Sequence, residues 1–248
     1  MKKKNKVVSK NNTKRLLLDV ADIMRNPLCE QGIHYIHDEG NMFKGTAMII
    51  GPSETPYAHG FYFFKFKFPK EYPFKPPSLT YCTNDGVTRF NPNLYRSGKV
   101  CVSILNTWKG DQWTSCQTIR SILLTLVTLL NENPLTNEPG FSPTHRSCLP
   151  YKRMIEYKNF SVAILGMLNQ GSLQSKFTAY HPILKKYFLA NKNKIMERLT
   201  ELADDEELKN IEDRISVYNM SAKYDYSDLK LKFEEQIRSI TLIKQKLK

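Results

Sequence analysis

Hydrophobic positions recur at helical spacing in "NTKRLLLDVADIMRNP", where Leu16, Val20, Ile23 and Met24 share one face. Asn12 or Thr13 can cap its start, and Pro27 ends it. The pattern then shortens. "GIHYIHDE", "NMFKGTAMIIG", "GFYFFKFKFP" and "SLTYCT" are runs rich in aromatic and β-branched residues, separated by glycine, proline and polar residues. They predict a four-strand antiparallel meander. "TSCQTIRSILLTLVTLLNENP" predicts a helix from about 117 to 131, with Thr114 or Ser115 as cap and Pro134 as stop, so apolar around its circumference that it must be buried. Between Leu79 and Gln117 the chain makes a long irregular excursion, and long loops on a rigid frame are where chemistry tends to sit. Beyond about 150 the pattern is helical again, with Lys/Glu-rich amphipathic stretches at "YKRMIEYKNFSVAILGMLNQ", "HPILKKYFLANKNKIMERLTELADDEELKNIEDRISV" and the final tail. Gly171 and Pro182 mark breaks, and the Leu, Ile and Phe content suffices to pack this region onto what precedes it.

Composition narrows the classes. A chain of 248 residues with 41% hydrophobic content can bury one good core and a second small one, and no segment is apolar for long enough to span a bilayer. A soluble protein without a membrane partner is expected. "MKKKNKVVSK" is basic but leads into "NNTKRLLLDV", without the long apolar segment of a secretory signal, so an intracellular location, cytoplasmic or nuclear, is expected. Of the net charge of +13, seven positive charges (Lys2, Lys3, Lys4, Lys6, Lys10, Lys14 and Arg15) come before the first acid. Such an arm fits a solvated tail, or a contact with an acidic partner or nucleic acid. Nothing else in the chain suggests nucleic acid.

Five cysteines (Cys29, Cys82, Cys101, Cys116, Cys148) without a CxxC pair argue against a disulfide framework and against a zinc site. The one that stands out is Cys101, in "FNPNLYRSGKVCVSIL". Asn91, Pro92 and Asn93 favour a turn, and "RSGK" at 96 to 99 supplies a second reversal that would bring Cys101 back alongside Asn93. A thiol and a carboxamide would then face one site: a nucleophile and thioester leaving group beside a donor for an oxyanion. By spacing alone, a lone cysteine after a valine fits a core position better than a catalytic one. A cysteine protease would need a histidine, and His34, His37, His59, His145 and His181 offer no recognisable protease context, although His59 and His145 lie in loops that can approach the site.

The wider pattern decides otherwise. A helix, a meander carrying "TPYAHGFYFF" and "FPKEYPFKPPSL", then "FNPNLYRSGKVCVSIL", a tryptophan loop and a central helix ending in "NENPLTNEPGF" resemble, in order from about 13 to 150, the catalytic domain of the ubiquitin-conjugating enzymes. "RFNPNLYRSGKVCVSILNTWKG", "ENPLTNEPGF" and the tail "YDYSDLKLKFEEQIRSITLIKQKLK" are most like the large Z-type members. The resemblance implies an α+β fold in three parts: a basic arm over 1–12, a catalytic domain over 13–170, and a helical extension over 171–248.

It also implies residue roles. Cys101 matches the thioester-forming cysteine and Asn93 the asparagine assigned to the oxyanion. Glu138 falls where the family places an acidic or small polar residue flanking the cysteine, able to orient or desolvate an incoming lysine. Pro73, Phe74 and Lys75 match the exposed loop on which ligases dock, and Trp113 the tryptophan before the central helix, where plain packing is an equal reading. Two departures bear on function. His-Pro-Asn is replaced by Asn-Pro-Asn at Asn91, Pro92 and Asn93, a change the Z-type pattern shares. The second docking loop, usually Ser-Pro-Ala, reads Thr114, Ser115 and Cys116, which removes a rigid turn and puts ordinary ligase docking in doubt. "NTWKGDQW" is longer than the minimal version and places Trp108 where it can narrow access to Cys101. The implied activity is transfer of ubiquitin or a ubiquitin-like modifier from an activating enzyme, through a cysteine thioester, to lysines of protein substrates, with a ligase as further partner. No bound metal or cofactor is implied, since ATP is consumed by the activating enzyme. The competing expectation is a basic nucleic-acid or protein-binding module on an inactive version of the same fold.

Overall fold

Residues 10–169 and 175–246 are described by the computed structural model. Helix α1 (Lys10–Arg25) starts at Lys10, ahead of the expected caps Asn12 and Thr13. Leu16, Val20 and Ile23 are buried, whereas Met24 is 64% exposed. The apolar stripe ends at Ile23, because one further step of roughly 100° carries Met24 off the core face. Asp19 is buried on the same helix and satisfied by Arg15 Nε, 3.0 Å away, and by the Tyr72 hydroxyl.

Strands β1 (Ile33–His37), β2 (Lys44–Ile50), β3 (Phe61–Lys67) and β4 (Ser78–Tyr81) form an antiparallel meander in chain order. Side chains alternate across it, and both faces are apolar. Tyr62, Phe64 and Phe66 join Ala47, Ile49 and Tyr81 in a core with α1 and with α2 (Ile119–Leu129). On the opposite face Phe61 and Phe63 join Met48 and Ile50 in a second core, closed by Phe160, Tyr180, Leu184 and Phe188 from the C-terminal half.

Two expectations about α2 need correction. Its cap is Thr118: Thr118 Oγ1 accepts from the Ser121 N–H at 3.2 Å and Ser121 Oγ accepts from the Thr118 N–H at 2.8 Å, a reciprocal box. Thr114 and Ser115 lie in the loop before it. Nor is the helix buried all round: Ile119, Ile122, Leu123 and Leu126 face the core, whereas Leu124 is exposed on the far side.

The C-terminal part is mainly helical. Helix α3 (Cys148–Lys158) continues into a π-helical stretch, Asn159–Gly166. Pro182 marks the boundary expected of it, in the first turn of α4 (His181–Asp204), where its missing N–H has no intrahelical partner to lose. Gly171, expected as a second break, lies outside the described residues. A short α5 (Glu206–Lys209) follows. Glu212–Ile215, expected to be helical, is instead strand β5, paired antiparallel with β6 (Met220–Lys223), before α6 (Tyr226–Lys246) packs back on α4. The hairpin is fastened to α3 by Arg153, whose Nε and Nη2 each donate to the buried Asp213 carboxylate at 2.8 Å, while the Tyr224 hydroxyl donates at 2.6 Å. Burial alone would raise the Asp213 pKa, but the bonds from Arg153 and Tyr224 outweigh it and hold the carboxyl below its ordinary value. Among the described residues no helix is long and apolar enough to cross a membrane.

Candidate active site

The excursion between β4 and α2 is irregular but not loose. Its first turn is built on Asn91, whose buried carboxamide is satisfied from every side. Nδ2 donates to the Tyr57 hydroxyl at 3.0 Å and to the Leu129 carbonyl at 2.7 Å. Oδ1 accepts from the Asn93 N–H at 2.9 Å and from Asn137 Nδ2 at 3.3 Å. A carboxamide can make four such bonds and this one makes all four, so asparagine at this position ties the turn to three separate segments of the chain. Pro92 is buried, and its carbonyl accepts from Arg89 Nη2 at 2.6 Å.

The second reversal turns on Gly98, at φ +86°, in the left-handed region that favours glycine. A Cβ there would stand 2.9 Å from both Thr80 Cγ2 and the Tyr81 carbonyl oxygen. The close approach lets the Gly98 carbonyl accept from the Tyr81 N–H at 2.8 Å, which fastens the loop to β4. The returning strand pairs with the outgoing one. The Cys101 N–H donates to the Asn93 carbonyl at 2.8 Å, and Asn93 Nδ2 donates to the Cys101 carbonyl at 2.6 Å. Asn93 and Cys101 are therefore bonded to each other twice. One N–H of the Asn93 amide is committed to loop backbone, and its buried Oδ1 has no partner among the described residues.

Cys101 is 3% exposed. Its thiol donates to the Thr107 carbonyl at 2.7 Å. Thr107 is held in turn by its own hydroxyl, which accepts from the Val102 N–H at 2.9 Å and faces the carbonyls of Val100 and Val102, both at 3.0 Å. The contact on the sulfur thus comes from Thr107, while the next residue, Trp108, is 41% exposed. No histidine hydrogen-bonds to Cys101 among the described residues. His59 Nδ1 pairs with the Tyr187 hydroxyl at 2.9 Å, and His145 Nδ1 accepts from the Ser147 N–H at 3.1 Å.

Glu138 is half-buried and directly follows Asn137, whose Nδ2 reaches Asn91. One of its oxygens accepts from the Tyr218 hydroxyl at 2.6 Å. Four residues not singled out in the sequence bond directly to the candidate residues: Tyr57 and Asn137 to Asn91, Thr107 to Cys101 and Tyr218 to Glu138. Tyr57 and Asn137 sit inside "TPYAHGFYFF" and "TNEPGF", which at least mark their segments. Nothing local marks Tyr218.

A second surface lies at the other end of the loop. Trp113 is buried, packs against Tyr72 with ring centroids 5.8 Å apart, and donates from Nε1 to the Pro73 carbonyl at 2.6 Å. It ties the two loops together, and Phe74, beside Pro73, is left 72% exposed. Lys75 is exposed and paired with Glu71 at 3.6 Å. Ser115 lacks the neighbouring proline, but its carbonyl accepts from Arg15 Nη1 at 2.7 Å, and Arg15 Nη2 donates to the Gln117 carbonyl at 3.0 Å. The guanidinium supplies by hydrogen bonds some of the rigidity that a ring would have supplied covalently.

Comparison with known proteins agrees with this architecture. Residues 15–154 match the family model described as Ubiquitin-conjugating enzyme. The chain is 38% identical over 178 residues to Ubiquitin-conjugating enzyme E2 Z of Xenopus tropicalis, covering 71% of this chain and 56% of that protein. It is 36% identical over 179 residues to the Homo sapiens protein of the same name, covering 67% of this chain and 50% of that protein. Probable ubiquitin-conjugating enzyme E2 26 of Arabidopsis thaliana is 41% identical over 144 residues, 56% of this chain and 26% of its own length. A helix-backed meander whose crossover loop carries one sheltered cysteine, together with a family match over more than half of the chain, settles the class: the chain belongs to the ubiquitin-conjugating enzyme family. Within that family it is similar to the Z-type enzymes, and it spans about half the length of those relatives.

Proposed function

We propose that the chain accepts ubiquitin or a ubiquitin-like protein from an activating enzyme as a thioester on Cys101 and passes it to a lysine of a protein substrate. In the first step the Cys101 thiolate attacks the carbonyl carbon of the activating enzyme's thioester, and the activating enzyme's own thiolate leaves. In the second, the lysine amine attacks the Cys101 thioester, a C–N bond forms, the C–S bond breaks and Cys101 is released. Asn93 has the role of oxyanion donor through the N–H not committed to the Cys101 carbonyl. Glu138 has the role of orienting the amine and taking up its proton. The Thr107 carbonyl has to release the thiol for charging to begin. Pro73, Phe74 and Lys75, carried by the Trp113–Pro73 tie, together with Ser115 on the second loop, are the surface offered to a ligase. An intracellular setting, cytoplasmic or nuclear, goes with these partners.

The observation that supports this reading most is the double bond pair between Asn93 and Cys101, which holds one cysteine of the five at the centre of a braced loop. A charging assay tests it, with purified activating enzymes, a panel of modifiers and non-reducing gels. A thiol-sensitive adduct is expected with the parent, Cys82→Ser and Cys116→Ser, and none with Cys101→Ala. A Cys101→Ala chain that charges while another cysteine variant does not would move the site elsewhere.

A further inference from the structure

The turn Ser216–Tyr218, between β5 and β6, belongs to the C-terminal extension, yet it rests on the active-site loop. The Tyr218 hydroxyl donates to Glu138 Oε2 at 2.6 Å across 80 residues of sequence. Its carbonyl accepts from Arg96, in the second reversal of the loop. Its ring packs against Tyr151, with centroids 5.7 Å apart, and faces Arg89 at 5.2 Å. Arg89 in turn donates to the carbonyls of Asn91 at 3.1 Å and Pro92 at 2.6 Å. Its backbone N–H reaches the sulfur of Met220, the first residue of β6, at 3.0 Å. The hairpin is anchored at its other end by the Arg153–Asp213 pair on α3. Tyr218 is thus held through its ring and its backbone, independently of its hydroxyl.

Glu138 is held far less. Its other oxygen, Oε1, has no protein partner among the described residues. Burial and the neighbouring carboxylate push the Tyr218 hydroxyl far above an ordinary phenol, so it remains a protonated donor through any working pH. A glutamate side chain on a loop rotates freely unless something fixes it, and a fixed carboxylate catalyses better than a rotating one.

We infer that Tyr218 is a positioning residue for lysine attack: its hydroxyl fixes Oε2 of Glu138, leaves Oε1 for the incoming amine, and makes the C-terminal hairpin part of the transfer site. The inference rests on the thioester reading above. In the step concerned, the amine nitrogen bonds to the thioester carbon, the Cys101 sulfur leaves with the electron pair of the C–S bond, and the proton lost by nitrogen passes to Oε1.

The test is single-turnover discharge of the Cys101–ubiquitin thioester to free lysine, using the full chain. Tyr218→Phe, Glu138→Gln and the double variant are compared with the parent, and rates are read from the fraction already charged so that loading does not enter. Phenylalanine keeps the ring contacts with Tyr151 and Arg89 and the backbone bond from Arg96. Tyr218→Phe is expected to slow discharge at saturating lysine about 5- to 10-fold, with less than about a 2-fold change in half-saturating lysine, and the double variant to be no slower than Glu138→Gln alone. Parent-like discharge by Tyr218→Phe would overturn the inference. So would the same additional slowing in the Glu138→Gln background, since a merely structural tyrosine acts whether or not the carboxylate is present. A parent that never charges overturns the thioester reading and this inference together, whereas a parent that charges with an additive cycle overturns the role of Tyr218 alone.

Discussion

Asn93 braces the loop and is also the proposed oxyanion donor. Its amide holds the Cys101 carbonyl at 2.6 Å, and its Oδ1 is buried without a partner among the described residues. An unsatisfied buried oxygen of this kind costs free energy, and such strain is tolerated where function demands it. Asn93→Ala is therefore expected to discharge a loaded modifier to lysine about 100-fold more slowly, the scale of one lost oxyanion donor. Single-turnover discharge measures this, and parent-like rates would reduce Asn93 to a brace. Asn91 differs, because its four bonds leave nothing over for chemistry.

Elements bring these residues together, and two of them can be tested directly. The loop returns to Asn93 only because Gly98 takes a positive φ against the Tyr81 carbonyl. Gly98→Ala pays the left-handed penalty of about 1–2 kcal/mol in addition to the clash, so a drop in the denaturant midpoint by at least that equivalent is expected. The β5–β6 hairpin depends on Asp213, whose pKa is depressed. A depressed carboxylate adds stability that is fully present above its unfolded pKa of about 3.9 and is lost as pH falls through its lower folded value. Asp213→Asn should therefore cost about 3 kcal/mol at pH 7, the lower end for breaking a buried pair, because Arg153 keeps some solvent contact. The gap from the parent should close as both are taken into strong acid. Urea unfolding at pH 7 and at pH 3 measures both numbers, and a pH-independent gap would mean that the Asp213 charge does not stabilise the hairpin.

Across the whole molecule, the sheet is sandwiched. Its second face carries Met48, Ile50, Phe61 and Phe63, and the C-terminal half covers them. A chain ending at 169 would expose apolar surface on two adjacent strands, β2 and β3, a patch of a kind that soluble monomers rarely carry. Such a chain is expected to bind hydrophobic dyes and to elute as aggregates in size exclusion. A monomeric fragment with parent-like melting would show that the second core is dispensable. The same C-terminal extension carries Tyr218, whose hydroxyl bonds to Glu138.

Local signals were enough for much of this. Period-two alternation and the turns between runs place all four meander strands, and Asn-Pro-Asn followed by "RSGK" places Cys101 opposite Asn93, because turn chemistry acts over a few residues. Even the second core is written in "GFYFFKFKFP": Phe61 and Phe63 alternate with Tyr62, Phe64 and Phe66, and a strand apolar on both sides of an antiparallel sheet needs two covers. Other features depended on distant contacts. Thr114, Ser115 and Thr118 are all competent caps, and Thr118 wins because α2 has to start where its Ile119–Leu126 stripe meets the sheet. Glu212–Ile215 lies in charged sequence of good helix formers, and its strand is selected by the Arg153 and Tyr224 bonds to Asp213, which no local preference encodes. Tyr218 and Glu138 lie 80 residues apart with no motif linking them, so their contact arises only once the extension has packed over the sheet and folded its hairpin back onto the loop.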